Sequence, residues 1–304
     1  MAARGGADVN RTLKPSAVSL KANLKRTEVA ALRKKVTPAS AASTMLAFAF
    51  LAVLAGSLAA CGPKNSDLPP GTTRPDQFLY DRGMQSLNEK KWLKAREYFR
   101  EIYDNYPQSS LRPEAKLGIG DSLLGEGSAE ALVLAANEYN EFLTFFPTHA
   151  RADYAQYKLG MTHFEEMLGP DRDQTQTRQA IAEFETFVER FPNSKLMPDV
   201  QARLRESRDR LSESNYRVGY FYFRTARWYP GAIDRFRSVL ENDPGYTNRD
   251  AVYFYLAESL LSVDRAAEAL PYYERLIKEF EKSEYLEKAN ERIESLKKLM
   301  AKRN

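Results

Sequence analysis

An all-α, right-handed solenoid of about five helix pairs with a C-terminal capping helix is the fold this 304-residue sequence predicts. Three observations lead there. Helical periodicity dominates from residue 77 onward, while strand alternation is scarce. A four-residue frame recurs along that stretch at spacings that place it on one helical face. The chain has one Cys and two His, which excludes a disulfide framework, a Cys-based zinc site and an iron–sulfur cluster, and leaves little histidine for acid–base work. With 43% hydrophobic and 12% aromatic residues, most of the chain can bury a core.

The first segment, residues 1–60, reads as a signal peptide with a long basic leader. Residues 1–44 hold nine Lys/Arg against Asp8 and Glu28, a net of +7; subtracting this from the total of +4 leaves −3 for the remainder. The basic balance therefore belongs to the leader, and no basic patch with interleaved aromatics remains to suggest nucleic-acid binding. Residues 45–60 form an apolar run of sixteen residues, short of the roughly 20 that a bilayer span needs. A basic region, a short apolar core and small terminal residues make up the layout of a secretory signal. The leader is long for one, and the expected start codon lies downstream of Met1. The run closes on Leu58-Ala59-Ala60-Cys61, which resembles a bacterial lipobox; Cys61 is the expected lipidation site, its thiol carrying the diacylglycerol. Residues 61–76 then supply Pro63, Pro69, Pro70, Gly71 and Pro75 without apolar periodicity, the composition of a tether holding a body off a membrane.

The third segment, residues 77–304, carries the repeat. Its frame reads Ala, an aromatic four later, an apolar residue three beyond, then Pro: Ala95-Phe99-Ile102-Pro107, Ala135-Tyr139-Phe142-Pro147, Ala180-Phe184-Phe187-Pro192 and Ala232-Phe236-Val239-Pro244. A fifth copy, Ala269-Tyr273-Leu276, has Glu281 where Pro is expected. The i, i+4, i+7 spacing gives a helix with one buried face, which the Pro terminates. Each frame is preceded by a second helical stretch, with Gly83, Gly160 or Gly219 near its middle in three units. The helix pair resembles the tetratricopeptide repeat. Its Ala-to-Ala intervals of 40, 45, 52 and 37 exceed the usual period of about 34, so insertions separate the units. Gly127-Ser128 and Gly169-Pro170-Asp171 read as loops, and Pro198–Leu211 reads as an added or extended helix before the fourth unit. Residues 283–304 close the array with an apolar stripe, Ala289, Ile293 and Leu296 among its members, and cations at the end that suit the helix dipole.

Candidate chemistry is sparse. Asp171-Arg-Asp173-Gln-Thr175 starts like a calcium loop, but Gln176 and Ala182 stand where Gly and a bidentate Glu are required; it reads as a loop leading to an N-cap. Gly118-Ile-Gly120 lies in a helical stretch with no strand ahead of it, so a phosphate cradle is not supported. His149 and His163 have no metal spacing, and no Ser/His/Asp set can be assembled. No catalytic residue, no metal and no cofactor are expected beyond the lipid on Cys61. The run Tyr216–Phe223 is too densely aromatic for every ring to face inward; helix packing accounts for most of it, and the rest must reach solvent or a partner.

Lipobox, tether and tetratricopeptide-like units together resemble the BamD family, lipoproteins of the outer-membrane β-barrel assembly machine. Local strings carry the resemblance further: Trp92-Leu-Lys-Ala-Arg96, Pro147-Thr-His-Ala-Arg-Ala-Asp-Tyr154, Asp171-Arg-Asp-Gln-Thr175, Phe191-Pro-Asn-Ser194 and Tyr229-Pro-Gly-Ala-Ile-Asp-Arg-Phe236. They span roughly residues 76–280. The resemblance implies an outer-membrane, lipid-anchored protein on the periplasmic face. Its implied partners are a BamA-like barrel protein, other Bam lipoproteins and unfolded outer-membrane protein substrates. It assigns Arg235, with Asp234 and Tyr229 beside it, to a periplasmic POTRA domain of the BamA-like partner; a solvated charge is the competing reading for Arg235. It assigns the first units to substrate peptides, where Tyr80, Met84 and Asp121 are candidate groove residues and ordinary packing competes for each. The alternative function is a pilotin-like lipoprotein for a type IV pilus secretin, whose units are usually more regular. An enzyme acting on cell wall through paired carboxylates is the remaining class, and a solenoid offers it no deep site.

Overall fold

The computed structural model describes residues 68–69 and 71–303. Among them are eleven α-helices and one π-helical turn, and no strand. They pair as α1 (Pro75–Asn88) with α2 (Trp92–Asn105), α3 (Arg112–Glu126) with α4 (Ala129–Phe145), α5 (Ala152–Glu165) with α6 (Thr175–Arg190), α7 (Met197–Phe221) with α8 (Tyr229–Asn242), and α9 (Arg249–Leu261) with α10 (Ala266–Glu279). α11 (Leu286–Arg303) packs on α10 and closes the stack. Each helix packs on its neighbours in sequence, and α1 touches α3, α3 touches α5 and α5 touches α7. This is a tetratricopeptide-like α-solenoid in which, over the N-terminal half, the first helix of each pair lines the inside of the curve. The helical body starts at Pro75, two residues ahead of the expected boundary, because a proline suits the first turn of a helix. The leader, the apolar run, Cys61 and most of the tether lie outside the described residues.

The frame forms the core. Ala95, Phe99, Ile102, Ala135, Tyr139, Phe142, Ala180, Phe184, Phe187, Ala232, Phe236, Ala269, Tyr273 and Leu276 have no exposed surface. What lets each ring in is a glycine on the first helix. A Cβ at Gly83 would lie 2.6 Å from Phe99 Cε1, at Gly120 2.7 Å from Tyr139 Cε1, at Gly160 2.6 Å from Phe184 Cδ1, and at Gly219 2.8 Å from Phe236 Cε1. Ala257, fully buried, stands at the corresponding place in the fifth unit. Gly118 is explained in the same way: its absent Cβ would meet Phe99 Cδ2 at 2.6 Å, so Phe99 is wedged between glycines of α1 and α3.

The turns between units follow one chemistry. Tyr106, Phe146, Phe191 and Asp243, each before the frame proline, leave helical geometry (φ −123, −129, −128 and −139), as pre-proline residues prefer. Phe280 adopts the same conformation, φ −131, ahead of Glu281, so packing holds that turn without a proline. Ser109 Oγ donates to Asp76 Oδ2 (2.7 Å), Ser194 Oγ to Asp153 Oδ2 (2.6 Å) and Ser283 Oγ to Asp250 Oδ2 (2.7 Å). Each serine oxygen also accepts the backbone N–H two residues on, at 3.1, 3.1 and 3.2 Å. The exit of each of these units is thereby tied to its own entry.

The expected helix before the fourth unit is the extended form: α7 runs 25 residues without a break and absorbs most of the aromatic run. It ends in the π-helical turn Tyr222–Ala226, after which Arg227 takes a left-handed conformation, φ 51. Its N-terminal half contributes Val200 and Leu204 to the Phe184–Phe187 core, while Tyr216 and Tyr220 pack in the C-terminal core.

Candidate partner interfaces

Relative to the glycine, the residues three before, one after and four after form a stripe on the inner helices: Tyr80, Met84 and Leu87 on α1, Tyr157, Met161 and Phe164 on α5, Tyr216 and Tyr220 on α7 with Phe223 in the π-helical turn that follows it. All are half-buried, so each pairs a packed side with a solvent-facing one. Tyr80 stands 5.8 Å from Phe99, ring to ring, and Met84 packs on the same core. Burial pushes the Tyr80 hydroxyl above its ordinary value.

Asp121 occupies the position after the glycine on α3, and its oxygens are taken. Tyr139 Oη donates to Oδ1 at 2.7 Å, and Tyr154 Oη donates to Oδ1 at 2.9 Å and to Oδ2 at 3.0 Å. Burial raises the carboxyl above its ordinary value, although the two tyrosines and the cations Lys158 and Arg151 favour its charged form. The same device recurs at Glu258 on α9, which accepts from Tyr273 Oη and from Arg292 at 2.7 and 3.0 Å. In both places the frame aromatic is Tyr rather than Phe, because a buried hydroxyl requires an acceptor. Sequence reasoning missed this pairing, although the Phe-to-Tyr change in the second and fifth frames was its visible sign. Asp121 joins α3 to α4 and α5 and orients Tyr154, over whose ring the Arg151 guanidinium lies at 4.1 Å. Arg151 is itself paired with Glu114 at 2.7 Å.

The second candidate face is on α8. Arg235 and Asp234 are exposed. Among the described residues Arg235 Nη1 reaches only the Asn215 Oδ1, at 3.5 Å, leaving the guanidinium fork open. Tyr229 is half-buried at the start of the helix, 5.9 Å from Phe223. The structure therefore brings Arg235, Asp234 and Tyr229 to one short helix, and Tyr80, Met84 and Asp121 to the inner helices of the first two pairs. Phe221, from the aromatic run of which some rings were expected to reach solvent, is 52% exposed, and Trp228, which sequence reasoning missed, is 55% exposed.

The other motif residues have partners within the chain. Asp171 pairs with Arg217 at 2.6 Å and Asp173 accepts from the Thr175 N–H at 2.8 Å. His149 Nδ1 accepts from the Arg151 N–H, and His163 bonds Gln176. Among the described residues no group of three or more His, Cys, Asp and Glu could hold a metal. Among them, too, no helix is long and apolar enough to cross a membrane.

Comparison with known proteins decides the family. The family described as YfiO, outer membrane lipoprotein, matches residues 72–269, which is most of the helical body. The chain belongs to the YfiO family. Relatives of this YfiO-family chain include outer membrane protein assembly factor BamD of Caulobacter vibrioides, 29% identical over 219 residues, covering 71% of this chain and 70% of that protein. The proteins of the same name from Rickettsia prowazekii (28%, covering 65% and 77%) and Vibrio cholerae (26%, covering 56% and 73%) are also similar. Among solved structures, the yeast Sti1 TPR2AB–pHSP90 complex covers 73% of the chain at 11% identity with a TM-score of 0.37, and MamA covers 69% at 15% with 0.31. Superposition that loose leaves the fold to rest on the chain's own helix pairs.

Proposed function

We propose that this protein is a non-catalytic, lipid-anchored subunit of an outer-membrane β-barrel assembly machine. In this reading Cys61 carries the lipid, the chain needs no other cofactor, and the body sits on the periplasmic face of the outer membrane. The α8 face engages a BamA-like barrel protein, with other Bam lipoproteins as further members of the assembly. The inner helices of the first units receive unfolded outer-membrane protein substrates against Tyr80 and Met84, with Asp121 holding Tyr154 beside them.

The reading is supported by the match of residues 72–269 to an outer membrane lipoprotein family, by relatives named outer membrane protein assembly factor BamD, and by an exposed Arg235 whose fork is left open among the described residues. A guanidinium in that state binds a carboxylate at two points and gains as water is excluded. Arg235→Glu is expected to abolish co-purification of the BamA-like protein with far-UV circular dichroism unchanged. Undiminished co-purification refutes the assignment.

A further inference from the structure

We propose that Phe221 and Trp228 are the apolar anchors of the docking face that carries Arg235, and that this face takes an acidic protein surface with an apolar recess. The proposal rests on the partner reading above and deepens it.

Helices α7 and α8 run antiparallel along a seam. At one end Arg235 reaches Asn215. In the middle, a Cβ on Gly219 would meet Arg235 Cβ at 3.2 Å. At the other end the Trp228 ring stands 5.0 Å from Tyr222, edge to face, and lies over Gly231, whose Cβ would come within 2.8 Å of Trp228 Cδ2. Asn215 and Gly219 on α7 and Tyr222, the first residue of the π-helical turn, are spaced i, i+4, i+7, and Trp228, which caps α8, and Arg235 within it are two turns apart. One face of the seam therefore presents both, about 10 Å apart at 1.5 Å rise per residue.

Trp228 is exposed and yet fixed, its ring resting on a glycine backbone and against Tyr222. Phe221 adds a third ring, 6.1 Å from Tyr222. The irregular backbone that follows Phe221 sets Trp228 outside α7. The π-helical turn and the left-handed Arg227 (φ 51) turn the chain out of α7 before α8 begins; such bulges often mark functional sites.

The charge of the patch selects the partner. Arg224 and Arg227 are exposed and make no ion pair among the described residues, and Arg235 has only an amide oxygen. Asp234 is the only carboxylate between residues 222 and 240. A body of net −3 after the leader thus carries a local cationic, aromatic patch. Exposed Trp and Arg at the centre of a patch are the composition of an interface hot spot, and complementary charge specifies an acidic counterpart.

The test titrates the purified periplasmic domains of the cell's BamA-like barrel protein against full-length protein in mild detergent. Phe221→Ala and Trp228→Ala are each expected to weaken binding about tenfold or more, and Arg224→Glu with Arg227→Glu to weaken it further, with helicity unchanged. Phe221 lies outside the buried core, so its variant keeps the test decisive even where Trp228→Ala perturbs the turn at Gly231. If Phe221→Ala binds within about twofold of wild type while Arg235→Glu does not bind, the anchors are overturned and the partner reading survives. If Arg235→Glu also binds like wild type, both fall.

Discussion

Replacing Gly83 by alanine tests the packing logic of the solenoid. The added Cβ would lie 2.6 Å from Phe99 Cε1 and 2.9 Å from Cδ1, well inside contact distance. The ring cannot retreat, because Gly118 lies against its other side at a Cβ distance of 2.6 Å from Cδ2, and Phe99 has no exposed surface. Overpacking of this kind costs about 1–3 kcal/mol, and a doubly blocked ring places it near the upper end. Alanine in a helix interior returns about 1 kcal/mol relative to glycine. The net expectation is a loss of about 2 kcal/mol, read as a urea midpoint lowered by roughly 0.8 M for an m value of about 2.5 kcal/mol/M. Gly169→Ala supplies the control: nothing lies within 4 Å of its Cβ and its φ is not left-handed, so its midpoint should stay put. Phe99→Leu should be less damaging in the Gly83→Ala background than alone, since the smaller side chain relieves the clash. A Gly83→Ala protein as stable as wild type, with the same m value, would show that glycine is there for some reason other than room for the ring.

Two carboxylates, half-buried Asp121 and buried Asp243, are expected to move stability in opposite directions with pH. Asp121 has a folded-state value raised above 3.8, so its contribution is greatest at low pH and is lost as pH rises through the folded value; Asp121→Asn should remove that downward slope from urea midpoints measured across about pH 4 to 6. Asp243 behaves conversely. Burial pushes its carboxyl up, but the bidentate Arg205 and the Ser212 hydroxyl (2.7 Å) outweigh it and hold the value below 3.8. Its contribution is therefore present above the ordinary carboxylate value and is lost as pH falls, and Asp243→Asn should flatten the acid limb below about pH 4. Cys61→Ala is expected to abolish incorporation of radiolabelled fatty acid into the protein in metabolic labelling; a variant labelled like wild type would refute lipidation at that residue.

The fold was legible because the frame residues are the core residues: Ala95, Phe99 and Ile102 recur at fixed spacing and every copy is buried. Less legible were features that depend on contacts far along the chain. Gly118 and Gly120 had no reading beyond an unsupported phosphate cradle, and their purpose appears when Phe99 and Tyr139, each 19 residues from its glycine, are placed against them. The site was legible in outline. The exposure of Arg235 follows from its place two residues after a buried Ile233 and one before a buried Phe236. The partners of Asp121 do not follow from spacing, since Tyr154 belongs to the next unit. Trp228 went unnoticed because a tryptophan at a helix start predicts burial, and only the glycine three residues on explains how it rests on the surface.

The length of α7 has a mechanical consequence. At 25 residues it spans about 37 Å, and among the described residues it is the one helix with side chains in both the third-unit core and the C-terminal core. Arg203 near its start lies 5.0 Å over the Phe164 ring on α5, and Asn215 near its end meets Arg235. No flexible joint separates the two points. The α8 face and the inner surface of the third unit are therefore joined through one continuous helix.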